Sequence, residues 1–401
     1  MNSKLYTLLY LSVLVLFAAC QQEDSPVEPI IGNRTVLVYI VADNNGLEES
    51  YPRNFASQDI DEMMVGMESV DASSYNLLVY QDDKDTPVLF RISKDGKGKV
   101  VKETIHEYEE QVSTDASVMT EVLHRAFLQY PADSYGLVYW SHADGWIPYP
   151  LSSASTRWIG QDSGEGDNRM NISDFLTVLK SVPHFDFIMF DACFMMSIEV
   201  AYELRHYTDY YMGSPTENPG PGAPYDKVVP QMFVSNAASK MASVYFDYYQ
   251  SKYNAGVKNS NTNWTGGTSI AVLESSKLDD LAAITNRVLS ATADNATFRG
   301  NIFDYDKRSV LQGHVGYYDL ETMVRELTDN VSFAEWKQAF DASIVYWNTT
   351  EKNYSQFAGM FSMKNTNGVT HYIPASTASA AAVAYRSTAW YEAAGLSKLG
   401  W

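Results

Sequence analysis

Cysteine is almost missing from this chain: there are two in 401 residues, at positions 20 and 193. That scarcity excludes a disulfide framework and a zinc site built on cysteines. Positive charge is also scarce, with 29 Lys and Arg against 49 Asp and Glu and a formal net charge of −20. So acidic a surface repels phosphate backbones and anionic headgroups, so nucleic acid is not an expected partner. Long apolar runs are lacking too. The one candidate, from Leu8 to Ala19, is short for a bilayer span. No internal repeat or low-complexity block is found.

What is present has an ordinary globular composition, 45% hydrophobic and 19% charged, enough for one large or two moderate domains. The N-terminus stands apart. Lys4, the apolar run and then Ala18-Ala19-Cys20 have the layout of a secretory signal. The cysteine directly after the small pair makes it resemble a bacterial lipoprotein signal, although Phe17 stands where an aliphatic residue is usual. This reading assigns residues 1–19 to the signal, Cys20 to lipidation, 20–34 to a flexible acidic tether and 35–401 to the folded domain. Cys193 is then the one thiol of the folded part. A lone cysteine is ordinarily a small buried hydrophobe, so its setting must carry any argument for chemistry.

Strand-like runs rich in Val, Ile and Tyr fall at 35–42, 75–81, 87–93, 135–141, 185–190, 210–213, 268–274 and 369–373. Helical stripes lie between them, such as Ile60, Met63, Met64 and Met67, or Val118, Val122, Leu123, Ala126 and Phe127. Strands alternating with helices predict an α/β fold, a mostly parallel sheet covered on both faces. In such folds sites lie beyond the carboxyl ends of the strands. The run at 135–141 leads into His142-Ala143-Asp144-Gly145-Trp146, and the run at 185–190 leads into Asp191-Ala192-Cys193.

A thiol attacks as thiolate, and a helix N-terminus or a neighbouring imidazole favours that form. Cys193 is expected to open a helix over Phe194–His206, where Ile198, Ala201, Tyr202 and Arg205 have helical spacing. Among the seven histidines, His106 does not complete an HExxH pattern, His124 and His206 fall on polar helix faces, and His184 precedes a strand. His314 and His371 sit in later Gly-containing regions and stay open. Only His142 follows a strand and enters a Gly-containing, aromatic turn, so Cys193 and His142 are the candidate nucleophile and base.

Three stretches resemble the clostripain family of cysteine peptidases, whose fold is caspase-like. They are WSHADGW (140–146), FDACFMMSIEVAYELRHYTDYYMGS (190–214) and PGPGAPY (219–225). Weaker matches at 35–48, 157–182, 317–327 and 388–401 extend the resemblance over nearly the whole folded part. It implies a three-layer α/β/α sandwich and a Cys193–His142 dyad that cleaves peptide or protein substrates after Arg or Lys. It also implies a selectivity carboxylate at Asp191, for which the competing role is a helix N-cap; Glu217 and Asp226 are weaker candidates for the same pocket wall. Backbone N–H groups of Ala143 and Cys193 would form the oxyanion hole. Ala143 stands where many members have Gly, so the hole survives unless that position needs a positive φ. No cofactor is required. Calcium supports some relatives, and the acidic segment 161–167 is a candidate for it, without a full EF-hand pattern. Relatives are often activated by cutting the loop between His and Cys, and within 147–170 Arg157 is the first candidate. The expected setting is a monomer, lipid-anchored to the bacterial cell envelope at the outer membrane or cell surface.

Two rival readings share these residues. One is a non-catalytic surface lipoprotein that binds peptides or glycans, for which 28 tyrosines and eight tryptophans would suit a binding face. The other is a cysteine amidohydrolase acting on small amides.

Overall fold

The structure, a computed structural model, describes residues 29–44, 47, 54–83, 86–148, 158–164, 166–256, 263–289 and 298–401. The proposed signal, Cys20, most of the tether and Arg157 lie outside the described residues.

A nine-stranded sheet organises the chain. Its first five strands are β1 (Gly32–Val41), β2 (Tyr75–Asp82), β3 (Val88–Lys94), β4 (Val100–Glu107) and β5 (Ala132–Trp140). A short hairpin, β6 (Ile159–Asp162) and β7 (Asn168–Met170), stands outside the sheet. The chain then returns to it with β8 (Phe185–Asp191), β9 (Thr208–Gly213) and β10 (Ser269–Glu274), passes through β11 (Tyr317–Asp319), and completes the sheet with β12 (Ile344–Thr349). The spatial order is β12-β10-β9-β8-β5-β1-β2-β3-β4. Pairing is parallel from β9 through β2 and antiparallel at both edges.

Alternation along β1 explains the layers. Leu37, Tyr39 and Val41 enter one core together with residues of α2 (Ala116–Gln129), α3 (Ile172–Leu179) and α4 (Ile198–Leu204) in the chain beyond α1 (Phe55–Met67). Val36, Val38 and Ile40 enter the opposite core with α1, α5 (Tyr225–Val228) and α6 (Ala237–Lys252). A strand with apolar residues on both faces is covered on both faces, and the result is the expected three-layer α/β/α sandwich. The tyrosines belong largely to these cores. Tyr39 stacks between Tyr80 and Tyr139 with ring centroids 4.6 and 5.9 Å away, and Tyr211, Tyr225, Tyr245 and Tyr249 are fully buried. Tyrosine number is therefore no argument for an exposed binding face.

Two expectations about elements need correction. The run at 369–373 is not in the main sheet; its residues Thr370–Tyr372 pair antiparallel with β11. The segment after Cys193 does not start as a helix. Ser197 is the N-cap of α4, and Phe194 has φ +58, a left-handed backbone that no helix admits and that a bulky residue rarely adopts. Among the described residues, no helix is long and apolar enough to cross a membrane.

Candidate active site

The parallel register of β5 and β8 sets Trp140 beside Asp191. His142 and Cys193 each lie two residues beyond that pair, on neighbouring strand ends about 4.8 Å apart. Both line one open cavity of about 600 Å³, and both are partly exposed. The strands thus bring together the two residues that the sequence selected.

The other histidines are elsewhere. His106 lies on β4, where it packs edge-on to Tyr108. His124, His184 and His206 are exposed, and His314 bonds the carboxylate of Asp304. His371 is fully buried beneath Tyr385 and Trp390, and burial holds its imidazole down to about 3, so it is neutral.

The loop carrying His142 is held as a strand. Gly160 N–H donates to the His142 carbonyl at 2.9 Å, and Asp144 N–H donates to the Trp158 carbonyl at 2.9 Å. These two bonds flank the antiparallel bridge between Ala143 and Ile159. In a non-hydrogen-bonded pair of this kind the residue's own N–H points away from its partner. The Ala143 N–H is thereby directed to the side opposite β6, and Ala143 has no positive φ that would demand Gly.

Beyond it, Gly145 has φ +95, and a Cβ there would come within 2.0 Å of the Tyr317 hydroxyl. That hydroxyl in turn donates to the Asp144 carbonyl at 3.2 Å. Gly145→Ala is therefore expected to displace the loop and lower kcat/KM by about 10²-fold, since a shift near 1 Å has that effect on positioned groups. Steady-state kinetics beside a thermal melt check it; unchanged kinetics would show that the loop tolerates the clash.

Around Cys193 the electrostatics oppose a resting thiolate. Burial, then the carboxylates of Glu217, Asp144 and Asp191, push the thiol up to about 12, against a single N–H donation from Asn218 at 3.2 Å. With α4 starting five residues later, no helix N-terminus offsets this.

Asp191 is the last residue of β8 and caps no helix, because Ser197 holds that position. Its carboxylate accepts from Ala223 N–H at 2.8 Å, the Tyr225 hydroxyl at 3.0 Å and Asn218 Nδ2 at 3.1 Å. Burial nonetheless raises it to about 6. Behind it Asp59, bonded to Trp140 Nε1 at 2.8 Å, is raised well above the carboxylate range by burial and by Asp191. Gly222, at φ +69, lets the 219–225 loop approach both; a Cβ there would sit 2.8 Å from Asp59 Oδ2 and 3.2 Å from Asp191 Oδ2. Glu217 lines the cavity as well, bonded to Ser355 Oγ at 2.6 Å and Gln356 N–H at 3.0 Å. Asp226 instead pairs with Lys227 and is not in the cavity wall.

Sequence reasoning missed Arg308. Its guanidinium is buried against Asp306 at 2.6 Å and Asp144 at 2.7 Å, and it also faces the cavity. Asp144 lies 164 residues away in sequence, so no local pattern could reveal the pair. Trp158, Trp264, Tyr354 and Phe357 add an aromatic wall, equally scattered along the chain. The described acidic residues of the 161–167 segment already have hydrogen-bond partners. Asp167 is engaged by Arg169 and Gln161, whereas Asp162 is buried and accepts the N–H groups of Ser113 and Gly164.

Comparison with known proteins converges on one family. The clostripain family model matches residues 38–398. Clostripain of Hathewaya histolytica is 30% identical over 227 residues, 48% of this chain and 41% of the length of that protein, so the match spans less than half of that relative. A secreted C11 cysteine protease from Bacteroides thetaiotaomicron, solved in complex with an irreversible peptide inhibitor, is 44% identical. It aligns over 91% of this chain and 99% of its own, with a TM-score of 0.82. An inactive zymogen C11 protease from Parabacteroides distasonis is 28% identical over 92% of this chain and 99% of its own, with a TM-score of 0.77. With fold, strand-end cysteine and histidine, and family model in agreement, the chain belongs to the clostripain family of cysteine peptidases.

Proposed function

We propose that the protein is an endopeptidase that cleaves after Arg or Lys through a Cys193–His142 dyad and a thioester acyl-enzyme. The observation that carries this reading is the register pair Trp140–Asp191, which leads both dyad residues into the same cavity. Cys193 Sγ attacks the substrate carbonyl as His142 takes its proton. The N–H groups of Ala143 and Cys193 receive the oxyanion, a contribution of roughly 2.7–4 kcal/mol per donor in other peptidases. The thioester forms as the C–N bond breaks. His142 returns the proton to the leaving amine, then activates the water that releases the acid. Asp191 receives the basic side chain of the substrate, supported by its buried position beside the nucleophile and its three donors.

Hydrolysis of Arg-, Lys- and neutral-residue fluorogenic amides, alongside Cys193→Ala, tests the reading. Activity on the two basic amides alone, lost in Cys193→Ala, is expected. Activity surviving that change, or a preference for the neutral amide, overturns it.

Two further features belong to the same reading. Activation is by self-cleavage in the 147–170 loop at Arg157, supported by the zymogen state of the Parabacteroides distasonis relative. Arg157→Gln is expected to leave one chain on a denaturing gel where the parent gives two; identical fragments would sink this site. The mature protein is anchored to the cell envelope by lipid on Cys20, so Cys20→Ser is expected to move it from the detergent phase to the aqueous phase.

A further inference from the structure

We propose that Arg308 is a positioning residue that clamps the two catalytic loops to each other, the His142 loop through a salt bridge and the Cys193 turn through its aromatic neighbour. The proposal rests on the Cys193–His142 reading given above. Both residues stand beyond the last paired positions of their strands, Trp140 and Asp191, so strand pairing alone does not fix the distance between them.

Arg308 touches both loops. Its Nη1 donates to the two oxygens of Asp144, two residues after His142, at 2.7 and 2.8 Å. The same guanidinium lies over the ring of Phe194, the residue after Cys193, with its carbon 5.2 Å from the ring centroid. Phe194 is itself held firmly. Its φ is +58, its side chain is buried, and its N–H donates to the Thr216 carbonyl at 3.0 Å. A planar guanidinium can pair with a carboxylate and stack on a ring at once, which an ammonium cannot do.

The segment that carries Arg308 is braced. Arg308 Nε donates to Asp306 Oδ1 at 2.6 Å, and Asp306 Oδ2 accepts the Val315 N–H at 2.9 Å. Tyr305 N–H donates to the Tyr317 carbonyl at 2.8 Å and closes the segment at its base. Tyr317 repeats the connection that Arg308 makes. Its ring stacks on Phe194 with centroids 6.1 Å apart, and its hydroxyl donates to the Asp144 carbonyl at 3.2 Å. The segment 304–317 therefore meets the His142 loop and the Cys193 turn at two points each.

Stability does not account for the arrangement. A buried ion pair adds little net stability, because desolvation offsets the attraction. Here Nη2 is also left without an acceptor among the described residues. What the guanidinium supplies is a fixed separation between base and nucleophile.

Steady-state kinetics on an Arg amide, beside thermal melts, test the assignment. Arg308→Ala is expected to lower kcat by about 10²-fold, the effect of a displacement near 1 Å, with KM changed less than about threefold. Arg308 lines the open cavity, so the space left by its side chain is reachable from solvent. Guanidinium chloride below denaturing concentration should therefore recover at least about tenfold of the lost rate, while sodium chloride should recover none and the parent should gain nothing. Arg308→Lys, which keeps the charge without the fork, is expected to lose about tenfold. Asp144→Asn decides the matter should Arg308→Ala fail to fold. Asp144 is one of the carboxylates that push the Cys193 thiol up, so loss of its charge alone would speed the reaction. The clamp instead predicts a fall in kcat of about tenfold. A kcat of Arg308→Ala within about threefold of the parent, a loss confined to KM, no rescue by guanidinium, or a faster Asp144→Asn would each overturn the clamp alone. Full activity in Cys193→Ala would overturn the dyad reading, and the clamp with it.

Discussion

His142→Ala is expected to lower kcat/KM on an Arg amide by about 10⁴-fold at pH 8, with the melting temperature little changed. The magnitude follows from the thiol. Burial and three nearby carboxylates hold Cys193 up to about 12, so without a base its thiolate fraction at pH 8 is about 10⁻⁴. On the proposed mechanism the imidazole of the parent removes that proton as the sulfur attacks, and the unfavourable thiol pKa need not be met in advance. The sign with pH follows as well. A group whose neutral form is favoured ionises only as pH rises toward its raised pKa, so the residual activity of His142→Ala should climb about tenfold per pH unit through pH 6–10. The parent should not share that climb. A loss smaller than tenfold, or a residual activity independent of pH, would show that Cys193 is already ionised or that another base serves it. His142 is partly exposed, which is why little stability should be lost with it.

The strand ends that make this dyad could be read from the chain because the physics there is local. β-Branched and aromatic runs such as Val36–Val41 and Phe185–Phe190 specify buried parallel strands, and parallel strands end on one edge of the sheet. The start of α4 was not readable in the same way. Phe194-Met195-Met196 looks like the first turn of an apolar helix, yet these residues fill the core under a turn in which Phe194 takes a positive φ. Met195 and Met196 are wholly buried, and Phe194 packs against Tyr317 at 6.1 Å. Tertiary packing overrides helical periodicity here. Strand β4 escaped notice because it is an edge strand whose Lys102, Glu103 and Thr104 face solvent, so it lacks the alternation of a half-buried strand. The Arg308–Asp144 pair and the aromatic wall of the cavity depend on which loops meet across the top of the sheet. Residue order alone does not encode those meetings in any short pattern.

Asp191→Asn is expected to reduce kcat/KM for Arg and Lys amides by about 10²–10³-fold while a neutral amide changes less than threefold. Removing one partner of a buried charge pair typically costs 2–5 kcal/mol, about 30- to 5,000-fold, which brackets that range, and the cost falls only on substrates that bring the other partner. The amide also disturbs the site itself. Ala223 N–H and the Tyr225 hydroxyl both donate to Asp191 Oδ2, and Asn218 Nδ2 donates to Oδ1. An Asn has only one acceptor oxygen, so at least one of these donors would face an NH₂ group. The pH profile separates charge from shape. Asp191 is held up to about 6 by burial, so in the free enzyme the carboxylate is lost as pH falls through that value. The parent's kcat/KM for Arg amides should therefore show a limb rising with pH near 6 that Asp191→Asn lacks. Asp59 lies behind Asp191 with its carboxyl raised well above the usual carboxylate range by burial and by Asp191, which disfavours a compensating charge there. An equal loss on basic and neutral amides would mean that Asp191 merely shapes the 219–225 loop. A loss confined to basic substrates, together with disappearance of the acid limb, makes it the charge that selects Arg and Lys.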